Sequence, residues 1–180
     1  MDWAQLPVER EYGITADSSD ILFNTLYQQH SVELCSYLTR LTDDPGRAEE
    51  LMHETFIQAY RAMLDGVRWE NPRAWLYRVA SRLAINAYRR QKLIAWVPFF
   101  GTDPASGPGI EAAALERVAV QAALNALPPK YRIPLVLYVY AEQSVVQIAD
   151  ILNLSSSAVK MRLSRAREMF HRAYVPEESL

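Results

Sequence analysis

From Asp20 onward the apolar residues recur every three or four positions, and that spacing commits the chain to helices. Leu22, Leu26, His30, Leu34, Leu38 and Leu41 form the first stripe. His30 reads as a satisfied core histidine rather than a ligand, because no other His or Cys lies one turn away. Ser18 or Ser19 is the expected cap of this helix. The segment TDDPG (42–46) stops it and starts the next, with Asp44 able to cap and Pro45 suited to the first turn. Leu51, Thr55, Phe56, Ala59, Tyr60 and Met63 then mark a second buried face, and Gly66 ends that helix.

Asn71 and Pro72 open a third helix as cap and first-turn proline. Leu76, Val79, Ala80, Leu83 and Ala87 share one side of it. At 100° per residue, Arg78, Arg82 and Arg89 fall within about 40° of each other on the opposite side. No acidic residue occurs between Pro72 and Lys92. A solvated arginine-rich face normally interleaves glutamates, so their absence points to a polyanionic partner. The net charge of −2 conceals this asymmetry. Residues 1–54 carry three basic and eleven acidic side chains, whereas residues 55–92 carry eight basic and two acidic. Residues 155–180 are basic again, with five against three.

Residues 97–110 hold three prolines and three glycines and read as a linker between two helical units. The linker is apolar at Val97, Phe99 and Phe100, a patch that packs on its own domain or on a partner. Beyond it the spacing predicts helices over 111–126, 129–141, 144–152 and 156–174. In the segment 143–172, Val146, Ile148, Ala149, Ile151 and Leu152 form a short apolar face. Asn153 stands at a sharp turn, and Leu154 can plug the gap between two helices. Ser155 or Ser156 caps the last helix, whose buried side holds Val159, Leu163, Ala166, Phe170 and Tyr174. Its opposite side shows Ser157, Lys160, Met161, Ser164, Arg165 and Arg172. This is the plan of a helix-turn-helix, with short polar and long cationic side chains placed to enter a major groove. An ordinary helical hairpin shares the same pattern.

Three segments together resemble the bacterial sigma factors of the extracytoplasmic-function class, small two-domain proteins that keep only the second and fourth sigma regions. RAEELMHETFIQAYRAM (47–63) is similar to the second helix of region 2. NPRAWLYRVASRLAINAYRRQK (71–92) is similar to the helix that handles the −10 element. Residues 126–170 are similar to region 4, which reads the −35 element. The resemblance implies an all-α chain of two small helical domains joined by a flexible linker, the second containing the helix-turn-helix. It divides the chain into an N-terminal tail (1–18), a region 2 domain (19–96), a linker (97–111) and a region 4 domain (112–180).

It also implies a transcription initiation factor that binds core RNA polymerase and promoter DNA, with an anti-sigma factor to restrain it. Glu49, Glu50, His53, Glu54 and Gln58 would grip the polymerase, although an acidic helix start also suits the helix dipole alone. The loop 67–71, with Trp69 and Asn71, would pocket a flipped base, at a cost of a few kcal/mol that stacking must offset. Arg73, Arg78, Arg82 and Arg89 would lie along the −10 element, the last three holding phosphates. Trp75 either stacks on a base or anchors the core. Ser157, Ala158, Lys160, Met161, Ser164 and Arg165 correspond to the positions that contact the −35 element. Arg162 and Arg167 lie off the centre of that face, as phosphate or intradomain contacts. Asn153 departs from the glycine common there, and Val145-Val146-Gln147 replaces an acidic pair.

Other functions have less support in the residues. HETFI (53–57) begins like a zinc-hydrolase motif, but Ile57 occupies the place of the second histidine. No nucleophile–base set is legible, so no catalysis, cofactor or metal is expected. A stand-alone helix-turn-helix regulator would not need the basic helix at 72–92, and a sigma mimic that does not bind DNA would not need its arginines. The acidic start MDWAQLPVERE lacks a charged-then-apolar leader, and no apolar run is long enough to span a bilayer. With one cysteine, Cys35, the expected compartment is the cytoplasm.

Overall fold

The computed structural model describes residues 16–94 and 111–175, with side chains from 20–90 and 114–175. The described residues form seven α-helices and no strand. Of the tail expected at 1–18 and the linker expected at 97–111, residues 1–15 and 97–110 lie outside them, whereas 16–18 and 111 belong to helices.

Helix α1 (Ala16–Thr42) starts earlier than expected, so Ser18 and Ser19 lie within its first turn rather than capping it. Its buried stripe also differs from the expected one. Leu22 is exposed, and Phe23 and Tyr27 pack inward instead. Their rings meet Phe56 and Tyr60 of α2 (Pro45–Leu64) at centroid separations of 4.8–6.2 Å. His30 is half-buried, with its Nδ1 2.8 Å from Glu33 Oε1. Asp44 caps α2 by accepting from the Arg47 amide. The helix ends as Gly66 takes φ +80°. There the Gly66 amide donates to Met63 O and the Val67 amide to Ala62 O, which satisfies two terminal carbonyls.

Helix α3 (Pro72–Ile94) crosses α1 and α2 and completes a three-helix unit. Asn71 caps it, accepting from the Ala74 amide at 2.9 Å. Leu76, Val79 and Ala80 are buried as their spacing predicts. Tyr37 and Tyr77 meet edge-on at 5.0 Å within this core. Ser81 donates to Tyr77 O at 2.6 Å, which leaves Ser81 Oγ to accept from the Tyr37 hydroxyl at 2.7 Å. Burial pushes the Tyr37 hydroxyl pKa far above its ordinary value.

The second unit comprises α4 (Glu111–Ala126), α5 (Pro129–Val139), α6 (Val145–Leu152) and α7 (Ser156–Tyr174). Ser144 and Gln147 close a reciprocal capping box at the start of α6. Asn153 takes the left-handed conformation (φ 52°, ψ 55°) at the turn, and Ser155 caps α7. Val146, expected on the buried face of α6, is 70% exposed. Ile148, Ala149 and Ile151 are buried in the same cluster as Val159 and Leu163 of α7, and Val145 and Leu152 pack against it.

The two units pack together. Helix α1 meets α4 and α5, and α3 meets α5 and α6. One contiguous apolar cluster runs from Leu34 and Tyr77 in the first unit to Val136 and Ile148 in the second. Arg132 of α5, 7% exposed, crosses the junction. It donates to Leu41 O at 2.9 Å, Asn125 O at 2.7 Å and Leu127 O at 3.2 Å. Desolvation lowers its pKa, and the charges of Tyr88 and Asp43 oppose that shift.

Candidate nucleic-acid interface

Two helices present rows of exposed polar and cationic side chains. On α7, a capped N-terminus and a buried Val159–Leu163–Ala166 spine turn the opposite side outward. Ser157, Lys160, Met161, Ser164 and Arg165 are all exposed there, and Ala158 is half-buried beside them. Among the described residues, Arg165 has Glu168 as its ion-pair partner, at 4.0 Å. Short serines flanked by long cations let a backbone come close while charges reach base edges or phosphates. Arg167 stacks over the Tyr138 ring at 5.2 Å, the intradomain alternative read from its position.

On α3 the arginines divide into two groups. Arg78, Arg82 and Arg89 are exposed. Arg82 Nη2 donates to Gln58 Oε1 at 2.9 Å. Arg78 Nη2 lies 2.8 Å from Asp150 Oδ2 on α6 and also donates to Asp150 O at 3.2 Å. Arg89 borders an open groove of about 430 Å³ between the units, where Lys130 and Arg162 add two further cations. Arg73 has a different environment. It forks onto Glu33 at 3.0 and 3.2 Å, donates to Ala141 O at 3.0 Å, and lies 5.3 Å from the Tyr77 ring centroid. Burial raises the Glu33 pKa, but hydrogen bonds from Arg73 and His30 outweigh it and hold Glu33 below the usual carboxylate range.

The loop before α3 does not offer its tryptophan to solvent. Trp69 lies against Trp75 at 4.7 Å, and both pack on the core. Trp69 Nε1 is buried with no hydrogen-bond partner. Asn71 is spent on the cap of α3, though it stays exposed. On α2 the other candidate face is intact. Glu49, Glu50 and His53 are exposed, and Glu54 and Gln58 are half-buried. Arg47 pairs with Glu50, and Gln58 Nε2 donates to Glu54 Oε1 at 3.0 Å. Among the described residues, no three His, Cys, Asp or Glu side chains converge as a metal site would require. No described helix is long and apolar enough to cross a membrane.

Comparison with known proteins agrees with both halves of this arrangement. The family described as Sigma-70 region 2 matches residues 26–94, and Sigma-70, region 4 matches residues 117–170. The ECF RNA polymerase sigma factor SigL of Mycobacterium tuberculosis is 32% identical over 149 residues, covering 81% of this chain and 84% of the relative. The chain belongs to the ECF sigma factors. SigW of Bacillus subtilis, another ECF sigma factor, is 32% identical over 167 residues, with 85% of this chain and 84% of the relative aligned. The fold is that of the sigma factor RpoE from Bartonella quintana, solved in complex with the anti-sigma factor NepR. That chain superposes with a TM-score of 0.66 at 19% identity, over 87% of this chain and 98% of the other.

Two features of this sigma factor could not be read from helical spacing. Arg132 gave no signal, because a lone arginine in an apolar helix does not reveal which carbonyls surround it. The Ser144–Gln147 box was legible as S-x-x-Q before an apolar run.

Proposed function

We propose that this sigma factor engages its promoter through two faces and the polymerase through a third. The protein is an alternative sigma factor that directs promoter recognition and transcription initiation. Sigma factors are non-catalytic initiation factors, and we extend that to this chain. In our reading, Arg78, Arg82 and Arg89 hold phosphates of the −10 region. Ser157, Ala158, Lys160, Met161, Ser164 and Arg165 read the −35 region, where Met161 suits a thymine methyl. Glu49, Glu50, His53, Glu54 and Gln58 form the polymerase face. Trp69, Asn71, Arg73 and Trp75 support the −10 loop. For Trp69 to stack on a base, its packing on Trp75 must first break.

One observation carries this reading. Two cation-bearing helices stand in separate units, and each unit matches the sigma region that bears its role. A stand-alone regulator has no use for the first helix. A partner of anti-sigma type and a cytoplasmic location follow from the same reading, and a relative of this fold is known in such a complex.

Capture of core RNA polymerase and of promoter DNA on the immobilised chain separates the polymerase face of α2 from the DNA face of α7. Glu49→Lys with Glu50→Lys should lose polymerase while keeping DNA affinity. Lys160→Ala with Arg165→Ala should keep polymerase and lose double-stranded promoter DNA. If both pairs lose both partners, or neither loses either, the assignment is wrong.

A further inference from the structure

The open groove that Arg89 borders has a volume of about 430 Å³, within the range of small-molecule sites. Its charged lining is of one sign. Arg89 comes from α3, Lys130 from α5 and Arg162 from α7, and no Asp or Glu lines it. The chain as a whole carries 21 acidic against 19 basic residues, so this sorting runs against its composition. Arg89 and Lys130 are exposed, whereas Arg162 is half-buried. Among the described residues, neither Arg89 nor Arg162 has an ion pair or a hydrogen bond. Lys130 Nζ lies 4.9 Å from the Tyr131 ring centroid and has no carboxylate partner among them. A partly desolvated guanidinium without an acceptor is costly, and an anion in the groove supplies one.

The remaining walls are apolar. Ile85 of α3, Ile133 and Pro134 of α5 and Leu152 of α6 form most of them. Tyr88, Pro129 and Ile133 are shared with a smaller cavity of about 20 Å³, which buried Arg132 also lines and which again has no acidic residue. Arg132 gives its N–H groups to backbone carbonyls, so it adds positive potential behind the groove rather than a further donor. Apolar walls with a few converging charges suit a ligand that has a flat apolar body and a charged head. Three cations without carboxylates match the several negative charges of a di- or triphosphate better than the single charge of a carboxylate. Arginine forks fit phosphate oxygens in pairs, and lysine adds a point charge.

We propose that this groove is a binding site for a nucleoside di- or triphosphate. Arg89, Lys130 and Arg162 hold the phosphates, and the nucleoside packs on Ile85, Ile133, Pro134 and Leu152. The promoter reading uses neither Lys130 nor Arg162, so the two assignments stand or fall separately.

Calorimetric titration of the full chain with ATP and GTP tests the site, with guanosine and inorganic tripolyphosphate as the two halves of the ligand. At least one nucleotide should bind one-to-one. Guanosine should show no binding, and tripolyphosphate should bind about tenfold more weakly, because it buries no apolar surface. Lys130→Glu with Arg162→Glu should weaken the nucleotide by about a hundredfold, or about tenfold for each cation lost. Lys130 is exposed, so Lys130→Glu alone reads the site, at about tenfold, if the double variant fails to fold. Arg165→Glu changes an exposed cation of α7 outside the groove and should leave nucleotide affinity unchanged. Absence of one-to-one binding by either nucleotide at millimolar concentration overturns the proposal. An equal loss in Arg165→Glu also overturns it, because the chain then attracts polyanions without a site. Tripolyphosphate binding as tightly as the nucleotide overturns it too, because the apolar walls then have no role.

Discussion

Replacing Arg132 by methionine tests whether the junction between the units depends on a buried charge or only on apolar packing. Two terms oppose each other. Burying a guanidinium costs several kcal/mol, and its lowered pKa reflects that desolvation, which the charges of Tyr88 and Asp43 only partly offset. Against this, the side chain donates to three carbonyls, those of Leu41, Asn125 and Leu127. Hydrogen bonds from a charged donor contribute about 1.5–3 kcal/mol each, and a buried carbonyl left unpaired costs about 1–3 kcal/mol. Methionine matches the length but satisfies none of the three. The balance favours arginine by about 3 kcal/mol. With a urea m-value of about 2 kcal/mol/M, the denaturation midpoint followed by far-UV circular dichroism should fall by about 1.5 M. The shared apolar cluster further predicts one transition for both units in the wild type. A methionine variant as stable as the wild type, or more stable, would refute the reasoning. Desolvation would then outweigh the hydrogen bonds.

Two smaller perturbations follow from local geometry. Asn153→Gly removes a left-handed backbone cost of about 1 kcal/mol, partly offset by glycine's greater unfolded-chain freedom, so Tm should rise by about 1–3 °C in calorimetry, whereas Asn153→Ala should lower it. Glu33 has a depressed pKa when folded, so its pairing with Arg73 and His30 contributes fully above the unfolded value of about 4.3 and is lost as pH falls through the folded value. Glu33→Gln should therefore flatten the acid limb of a stability–pH curve below about pH 4.3 and lower stability at neutral pH; an unchanged acid limb would show that the pair carries no linkage.

The helices were legible because their apolar spacing and their caps agree. Asp44–Pro45, Asn71–Pro72 and Ser155 each stand where the backbone needs an acceptor or a fixed φ, and each helix begins there. At α1, capping chemistry misled. Ser18 and Ser19 are good caps, but nothing between them and Ala16 breaks a helix, so the helix runs past them. The aromatic pair Phe23 and Tyr27 took the inward positions that spacing had given to Leu22, because Phe56 and Tyr60 lie opposite. Val146 faced outward because it stands on the side of α6 opposite Ile148, Ala149 and Ile151.

The outward row on α7 was also legible, since Val159, Leu163 and Ala166 fix the face opposite it. The occupants of the α3 arginines were not. Arg73, Arg78 and Arg82 look alike in sequence, yet they meet Glu33, Asp150 and Gln58. Those partners lie 40, 72 and 24 residues away, so only the tertiary fold can choose among them.

Run-off transcription with core bacterial RNA polymerase on a library of promoter templates tests the two-face account most directly. The wild type should initiate at specific sites. Arg78→Ala with Arg82→Ala should abolish or strongly reduce initiation while polymerase capture persists, and Lys160→Ala with Arg165→Ala should do the same on templates that depend on the −35 element. Undiminished initiation by both variants would contradict the assignment of promoter engagement to α3 and α7.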